Sequence, residues 1–270
     1  MKIRKFSLIH RDKGNRKGEN GRVLVIAGSK DYTGSAFLAA AAIACLRSGT
    51  DLVTLACPEK VAWAVNAMSP DIITSKLKGD YLSLSNLPQI KKLADKSDVI
   101  LIGPGISRKK ETVTLVKRLV KIKKPKVIDA DALKMLKLQD VNNAILTPHS
   151  KEFEILLKNS KLTAKNFMKK IRKNVILHKA PIDEIYSSER VIFVSGGNSG
   201  MAVGGTGDVL AGLCAGFVAQ GYNLLDSAHM ASKMNKKIGD NLKKRIGYGF
   251  IASDFLAEIP KMRDSLEREN

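Results

Sequence analysis

Gly196-Gly197-Asn198-Ser199-Gly200-Met201-Ala202-Val203-Gly204-Gly205-Thr206-Gly207-Asp208-Val209-Leu210-Ala211-Gly212 is the stretch that decides how this chain reads. Glycines open a helix whose first turn carries Asp208. The first N–H groups of a helix have no partner within it, and together with the helix dipole they can hold an anion. Glycines let that backbone approach a phosphate with no Cβ in the way. A carboxylate among such donors ordinarily caps the helix. Beside an anion pocket it points to phosphoryl transfer, with the amides at Gly205, Thr206 and Gly207 taking charge on the moving group and Asp208 taking the proton from an attacking hydroxyl. The plainer alternative is a capped helix packed closely on a sheet through Gly212 and Gly216.

Outward from this stretch, short β-branched runs alternate with helical patterns. Val23–Ala27, Asp51–Ala56, Asp98–Ile102, Lys126–Ile128, Ala144–Leu146 and Asn174–Leu177 read as strands. Ser35–Arg47, Glu59–Ala67, Glu111–Val120 and Ser150–Leu157 read as helices between them, the last with Ser150 as N-cap and Phe153, Leu156 and Leu157 on one face. Glu184–Tyr186 and Arg190–Val194 predict a hairpin around Ser187–Glu189. Thr206–Gln220, Leu224–Leu242 and Gly249–Ile259 predict three successive helices. The alternation predicts an α/β fold with a mostly parallel sheet and helices on both faces. No Pro-, Gly- or Ser-rich linker divides residues 1–270, so a single domain is expected. Gly28-Ser29, Gly103-Pro104-Gly105, Asp129-Ala130-Asp131 and Thr147-Pro148-His149 each follow a strand, and such carboxyl ends form the ligand cleft of open parallel sheets.

Composition narrows the function classes. The chain has 270 residues, 44% of them apolar, enough for a substantial core. The apolar runs Ala36–Leu46 and Val209–Ala219 fall short of the ~20 residues that span a bilayer. Met1–Phe6 has charges but no apolar region behind it, so no secretory signal is read there. Cys45, Cys57 and Cys214 lie far apart and make neither a disulfide framework nor a metal pair, which suits a reducing cytoplasm. The net charge of +20 fits a polyanionic ligand, yet aromatics are only 5% and do not interleave with the lysines. No nucleic acid is therefore expected as the main partner. Trp63 and the methionines read as core or interface packing, and His178 as structural.

Two common labels fail. Gly28 to Ser35 lacks the Lys of a P-loop, and Gly103-x-Gly105 lacks the third Gly of the dinucleotide fingerprint. Gly-Gly-Thr-Gly-Asp at a helix start instead resembles the active-site motif of ribokinase-like small-molecule kinases. The longer string Gly200–Gly212 is similar to the signature of the NAD(P)H-hydrate dehydratases, with Val203 where that family normally has Thr and Ser199 where it often has Pro. Tyr32-Thr33-Gly34-Ser35, Arg47-Ser48-Gly49-Thr50-Asp51-Leu52-Val53, Gly103-Pro104-Gly105, Asp129-Ala130-Asp131-Ala132-Leu133 and Thr147-Pro148-His149 match the same family in order, so the resemblance spans about residues 20–258. Related bifunctional proteins carry an additional N-terminal epimerase domain, which a chain of this length is not expected to include.

The resemblance implies a ribokinase-like fold and dehydration of hydrated NADH or NADPH, driven by ADP or ATP, with release of phosphate and AMP or ADP. It implies Asp208 as catalytic base, with Ser35, Gly105, His149 and Asp208 holding substrate. Gly205, Thr206, Gly207 and the segment Lys179, Ala180, Asp183 would hold the nucleotide. In that segment Ala180 stands where the family usually has Gly and Asp183 where it has Thr, and a carboxylate near a phosphate is unfavourable without a compensating charge. Mg²⁺ is implied as cofactor, with Glu152 as a ligand, and K⁺ as a further cation; Glu152 reads equally well as a capping-box partner of Ser150 or His149, and Asp129 and Asp131 read equally as part of the Mg²⁺ or substrate environment or as turn formers. A homo-oligomer, specifically a tetramer, is expected, with a cytoplasmic location and no membrane partner. The alternatives are a small-alcohol or vitamin-precursor kinase of the same fold and a non-catalytic polyanion-binding protein.

Overall fold

The computed structural model describes residues 14–35 and 42–268. In chain order they form β1 (Arg22–Ile26), α1 (Ala42–Arg47), β2 (Leu52–Pro58), α2 (Glu59–Met68), β3 (Ile73–Leu77), α3 (Leu87–Asp95), β4 (Val99–Ile102), α4 (Lys110–Leu119), β5 (Lys126–Ile128), β6 (Ala144–Leu146), α5 (Ser150–Ser160), β7 (Val175–His178), β8 (Asp183–Tyr186), β9 (Val191–Val194), α6 (Thr206–Ala219), α7 (Leu224–Ile246) and α8 (Ala252–Arg268). The strands make one sheet in the order β3-β2-β1-β4-β5-β6-β7-β8-β9. β3 through β7 run parallel, and β8 and β9 close the far side as an antiparallel hairpin.

Two apolar cores lie on opposite faces of the sheet, and the strands feed both by alternation. Val23 and Val25 of β1 face a core with α2, α6, α7 and α8, whereas Leu24 and Ile26 face one with α3, α4 and α5. β1 and β4 are buried throughout apart from Arg22, as expected of strands covered on both sides. α6 is the most deeply set helix. A Cβ on Gly216 would stand 2.0 Å from Ser48 Oγ and 3.2 Å from the Cys45 backbone, so the glycine permits the close approach of α1. Sequence order reverses between β1 and β4, and the crevice outside the carboxyl ends of these strands is where an open α/β sheet binds ligands.

The predicted strands and hairpin are all present within a few residues of their expected bounds. Residues 36–41 of the predicted helix Ser35–Arg47, and the reading of Met1–Phe6, lie outside the described residues. Four expectations are corrected. The N-cap of α5 is His149, not Ser150: its side chain accepts from the Glu152 N–H, and the Glu152 carboxylate accepts from the His149 N–H, a reciprocal capping box. The last helix begins at Ala252 and continues through Pro260, because Gly247–Gly249 is taken up by a separate 3₁₀ turn. Of the two readings of Trp63, core or interface packing, the first is excluded: it is 59% exposed, with Lys76 Nζ 4.1 Å above its ring. Finally, β3 and α3 fall in a stretch read without regular structure. No helix among the described residues is long and apolar enough to cross a membrane.

Candidate active site

The carboxyl ends of three neighbouring parallel strands converge on Asp129. It follows β5, is 1% exposed, and accepts hydrogen bonds from Thr147 Oγ1 after β6 (2.7 Å) and Lys179 Nζ after β7 (2.9 Å). Burial disfavours the Lys179 charge, but Asp129, Glu152 and Asp208 outweigh it and hold its pKa above the ordinary lysine value. Lys179 therefore stays an ammonium ion at neutral pH. It reaches the first turn of α6, where a Cβ on Gly207 would stand 3.2 Å from Nζ. Glycine at 207 makes room for that charge.

Gly205 is the N-cap of α6 with φ of +97°, a left-handed conformation that only glycine adopts without strain. Thr206 turns its hydroxyl back onto Met201 O (2.8 Å) and Val203 O (3.1 Å), fixing the glycine loop. Its hydroxyl is thus committed to the protein, and what it offers an anion is its backbone N–H. Asp208 lies in this first turn. Desolvation raises its pKa to about 7, reinforced by the charges of Asp129 and Glu152 and opposed by Lys179 and a hydrogen bond from Ser35. A carboxylate poised there accepts a proton efficiently near neutral pH.

On the other side of Asp208, Gly105 (φ +63°) packs against the Tyr32–Ser35 turn so closely that a Cβ would stand 2.8 Å from Tyr32 Cβ and 3.0 Å from Ser35 Cβ. The Gly28 N–H donates to Pro104 O at 2.8 Å, joining the loops after β1 and β4 across the reversal of strand order. His149 is half exposed beside this crevice. Burial first, then the charges of Lys179 and Lys134, lower its pKa, so it is neutral at pH 7. Glu152, nearly buried, divides its carboxylate among the His149 N–H (3.2 Å), Lys134 Nζ (3.4 Å) and His149 Nε2 (3.5 Å).

A cavity of about 530 Å³ opens from Lys179 and Gly207 toward α7, and it includes His149, Ala180, Asp183 and Thr206 in its lining. Asp183 is no threat to a phosphate. Its Oδ1 accepts from the Ala180 N–H (3.0 Å), its Oδ2 accepts from Ser232 Oγ (2.7 Å), and Lys236 Nζ lies 3.4 Å away. The compensating charge that the sequence calls for is supplied by Lys236. The structure brings together Ser35, Gly105, His149, Lys179, Ala180, Gly205, Thr206, Gly207 and Asp208, with Glu152 behind His149. Asp131 instead pairs with Lys134 at 3.2 Å. His178 is held by Glu184 at 2.9 Å, consistent with a structural role. Sequence reasoning missed Asn235 and Lys236. The available signal was weak: Ser232, Asn235 and Lys236 are polar residues at helical spacing on the buried face of α7.

No group of three or more His, Cys, Asp or Glu among the described residues forms an all-protein metal site. Carboxylate oxygens are the donors a hard cation such as Mg²⁺ prefers, and Glu152 and Asp208 near Lys179 fit an ion that takes one or two protein ligands and keeps its waters, not an all-protein cage.

The profile of the NAD(P)H-hydrate dehydratase family matches residues 23–261. The chain is 38% identical over 267 residues to the bifunctional NAD(P)H-hydrate repair enzyme of Methanothermobacter thermautotrophicus, covering 93% of this chain and 51% of that protein. It thus spans about half the length of the bifunctional relatives. It is 33% identical over 281 residues to the ADP-dependent (S)-NAD(P)H-hydrate dehydratase of Cenarchaeum symbiosum, covering 98% of this chain and 96% of that one. Among solved structures it is similar to a ribokinase-like superfamily protein of Enterococcus faecalis, with a TM-score of 0.83, 25% identity and coverage of 95% and 91%. The ADP/ATP-dependent NAD(P)H-hydrate dehydratase of Bacillus subtilis, co-crystallized with ATP and Mg²⁺, shares the fold at a TM-score of 0.79 and 22% identity, over 96% of this chain and 95% of that one.

Proposed function

The chain belongs to the NAD(P)H-hydrate dehydratase family, and from that premise we propose that it uses ADP or ATP to return hydrated NADH or NADPH to the reduced cofactor. The observation that carries the reading is Asp208, a carboxylate with a pKa of about 7, set in the first turn of a glycine-opened helix beside the Lys179 ammonium.

In this mechanism the ring hydroxyl of the hydrated dinucleotide lies against Asp208, on the side of Ser35, Gly105 and His149. Asp208 takes the hydroxyl proton as the oxygen attacks the terminal phosphorus of the nucleotide. An O–P bond forms, the bond to the leaving AMP or ADP breaks, and the charge on the transferring group meets Lys179 and the N–H groups of Gly205, Thr206 and Gly207. The phosphate ester then departs with the ring C–O electron pair while a ring proton is lost, and the C=C bond reforms. Phosphate leaves far more readily than hydroxide, which is what the nucleotide contributes. Mg²⁺, when bound, would neutralise the nucleotide phosphates, with Glu152 the protein ligand in this proposal. Neutral His149 orients the dinucleotide by hydrogen bonding, without a charge to compete for the phosphoryl group.

Purified protein given hydrated NADH, Mg²⁺ and either nucleotide should release one phosphate for each NADH restored. A stable phosphorylated product with no NADH would replace this reading with a small-molecule kinase. The homotetramer and the cytoplasmic setting belong to the same proposal, and light scattering on the purified chain tests the first. A K⁺ requirement would appear as turnover that rises with K⁺ and not with Na⁺.

A further inference from the structure

The α7 wall of the cavity holds a polar group that the protein does not use. Asn235 is 6% exposed and lines the cavity, yet its Oδ1 is buried with no hydrogen-bond partner among the described residues. Its neighbour Lys236 cannot serve it, because an ammonium ion has three protons and Lys236 Nζ already faces Ala180 O (3.1 Å), Pro181 O (2.9 Å), Gly196 O (3.2 Å) and Asp183. Buried side-chain amides are almost always satisfied, and leaving one unpaired costs stability. An orphan of this kind on a ligand cavity marks a contact reserved for the ligand.

The surroundings indicate which part of a ligand it meets. Lys179 and Gly207, the residues assigned to phosphate, line the same cavity. Its lining also includes Met201, Ala202, Leu210 and Pro181, apolar surfaces suited to the faces of a flat heterocycle. An asparagine amide presents one acceptor and one donor side by side. Adenine matches that pair on its N7 edge, with the N6 amine as donor and N7 as acceptor, whereas an oxo-purine presents two acceptors on that edge, O6 and N7, and leaves the Asn acceptor unmet.

We infer that Asn235 reads the base of the nucleotide and selects amino-purine over oxo-purine nucleoside diphosphates. The inference rests on the dehydratase reading, since it assigns the nucleotide to this cavity. The test compares ADP with IDP, which differ at the exocyclic position, in the wild type, Asn235→Leu and Asn235→Gln, by direct calorimetric binding and by turnover of hydrated NADH. Wild type should bind ADP roughly ten-fold or more tighter than IDP. Asn235→Leu should lose that preference through weaker ADP binding, with kcat little changed and IDP affinity nearly unaltered. Asn235→Gln, which keeps a neutral amide donor and acceptor, should retain more of the preference for ADP than Asn235→Leu does. Equal affinity for ADP and IDP in the wild type would overturn the inference, as would full discrimination in a folded Asn235→Leu. Absence of turnover with every nucleotide, alongside a clear ADP preference in binding, would count against the dehydratase reading and leave the base assignment standing.

Discussion

Lys179 and Lys236 line the same cavity, and each pairs with a buried aspartate, at 2.9 Å to Asp129 and at 3.4 Å to Asp183. The resemblance ends there. Lys236 is 7% exposed and its ammonium is surrounded by three backbone carbonyls and a carboxylate, so every proton is spent on holding the loops at 180–181 and 196 against α7. Among the described residues Lys179 has one hydrogen-bond acceptor; it keeps 20% of its side chain open and faces the amides at the start of α6. A buried lysine whose donors are saturated is a brace; one with donors to spare beside an anion site is a tool. From sequence alone Asp183 looks like a charge misplaced against phosphate, until Lys236 is seen beside it.

The contrast breaks most sharply by removing each ammonium in turn. Lys179→Met should lower turnover by roughly 10²–10³, the scale for losing one donor to transition-state charge, and it should also lower stability because Asp129 is left buried with Thr147 as its remaining partner among the described residues; a folded variant with near wild-type kcat would remove Lys179 from the chemistry. Lys236→Met should lower stability without that loss of turnover. It strands the Asp183 carboxylate in a buried setting, at a cost of about 3–5 kcal/mol in folding stability, measurable by urea denaturation. Its folded fraction should keep kcat within a few-fold of wild type. Loss of turnover without loss of stability in this variant would make the brace a catalytic group.

A smaller effect separates the two aspartates by pH. Asp208 works as a base only when ionised, and its pKa of about 7 is raised by desolvation first and by the Asp129 charge second. The acid limb of kcat/KM should therefore fall as pH drops through about 7, with activity retained above it. Asp129→Asn removes a charge that raises the Asp208 pKa, so the limb should move to lower pH. The Lys236→Met limb should stay in place. A limb that is unmoved in Asp129→Asn would mean that Asp129 does not act on the base.

The readable and unreadable parts of the molecule differ for physical reasons. Strands β1, β4, β5 and β6 are short, buried runs, and their ends, bearing glycine after β1 and β4, aspartate after β5 and Thr-Pro-His after β6, declare the cleft without any structure. The Gly205–Asp208 turn is equally plain, because backbone approach to an anion demands glycine. β3 is an edge strand reading Ile73-Thr74-Ser75-Lys76-Leu77, and only Leu77 of it is buried, so no apolar run marks it. α3 begins with Leu87-Pro88, a first-turn proline that a scan for breakers takes as a stop. Ser150 was the conventional cap residue, but the chain places the extended φ and ψ one residue earlier, at His149. Asn235 and Lys236 were hidden because a lysine on a long basic helix is ordinarily solvated; only the packing of α7 against the 180–183 loop makes it a core residue.

The central claim is that Asp208 takes the proton as phosphoryl transfer begins, and Asp208→Asn tests it most directly. Turnover of hydrated NADH with ADP or ATP and Mg²⁺ should drop by roughly 10²–10⁴ in that variant, while calorimetry shows nucleotide still bound with near wild-type affinity. Turnover equal to wild type in a folded, nucleotide-binding Asp208→Asn protein would contradict the account.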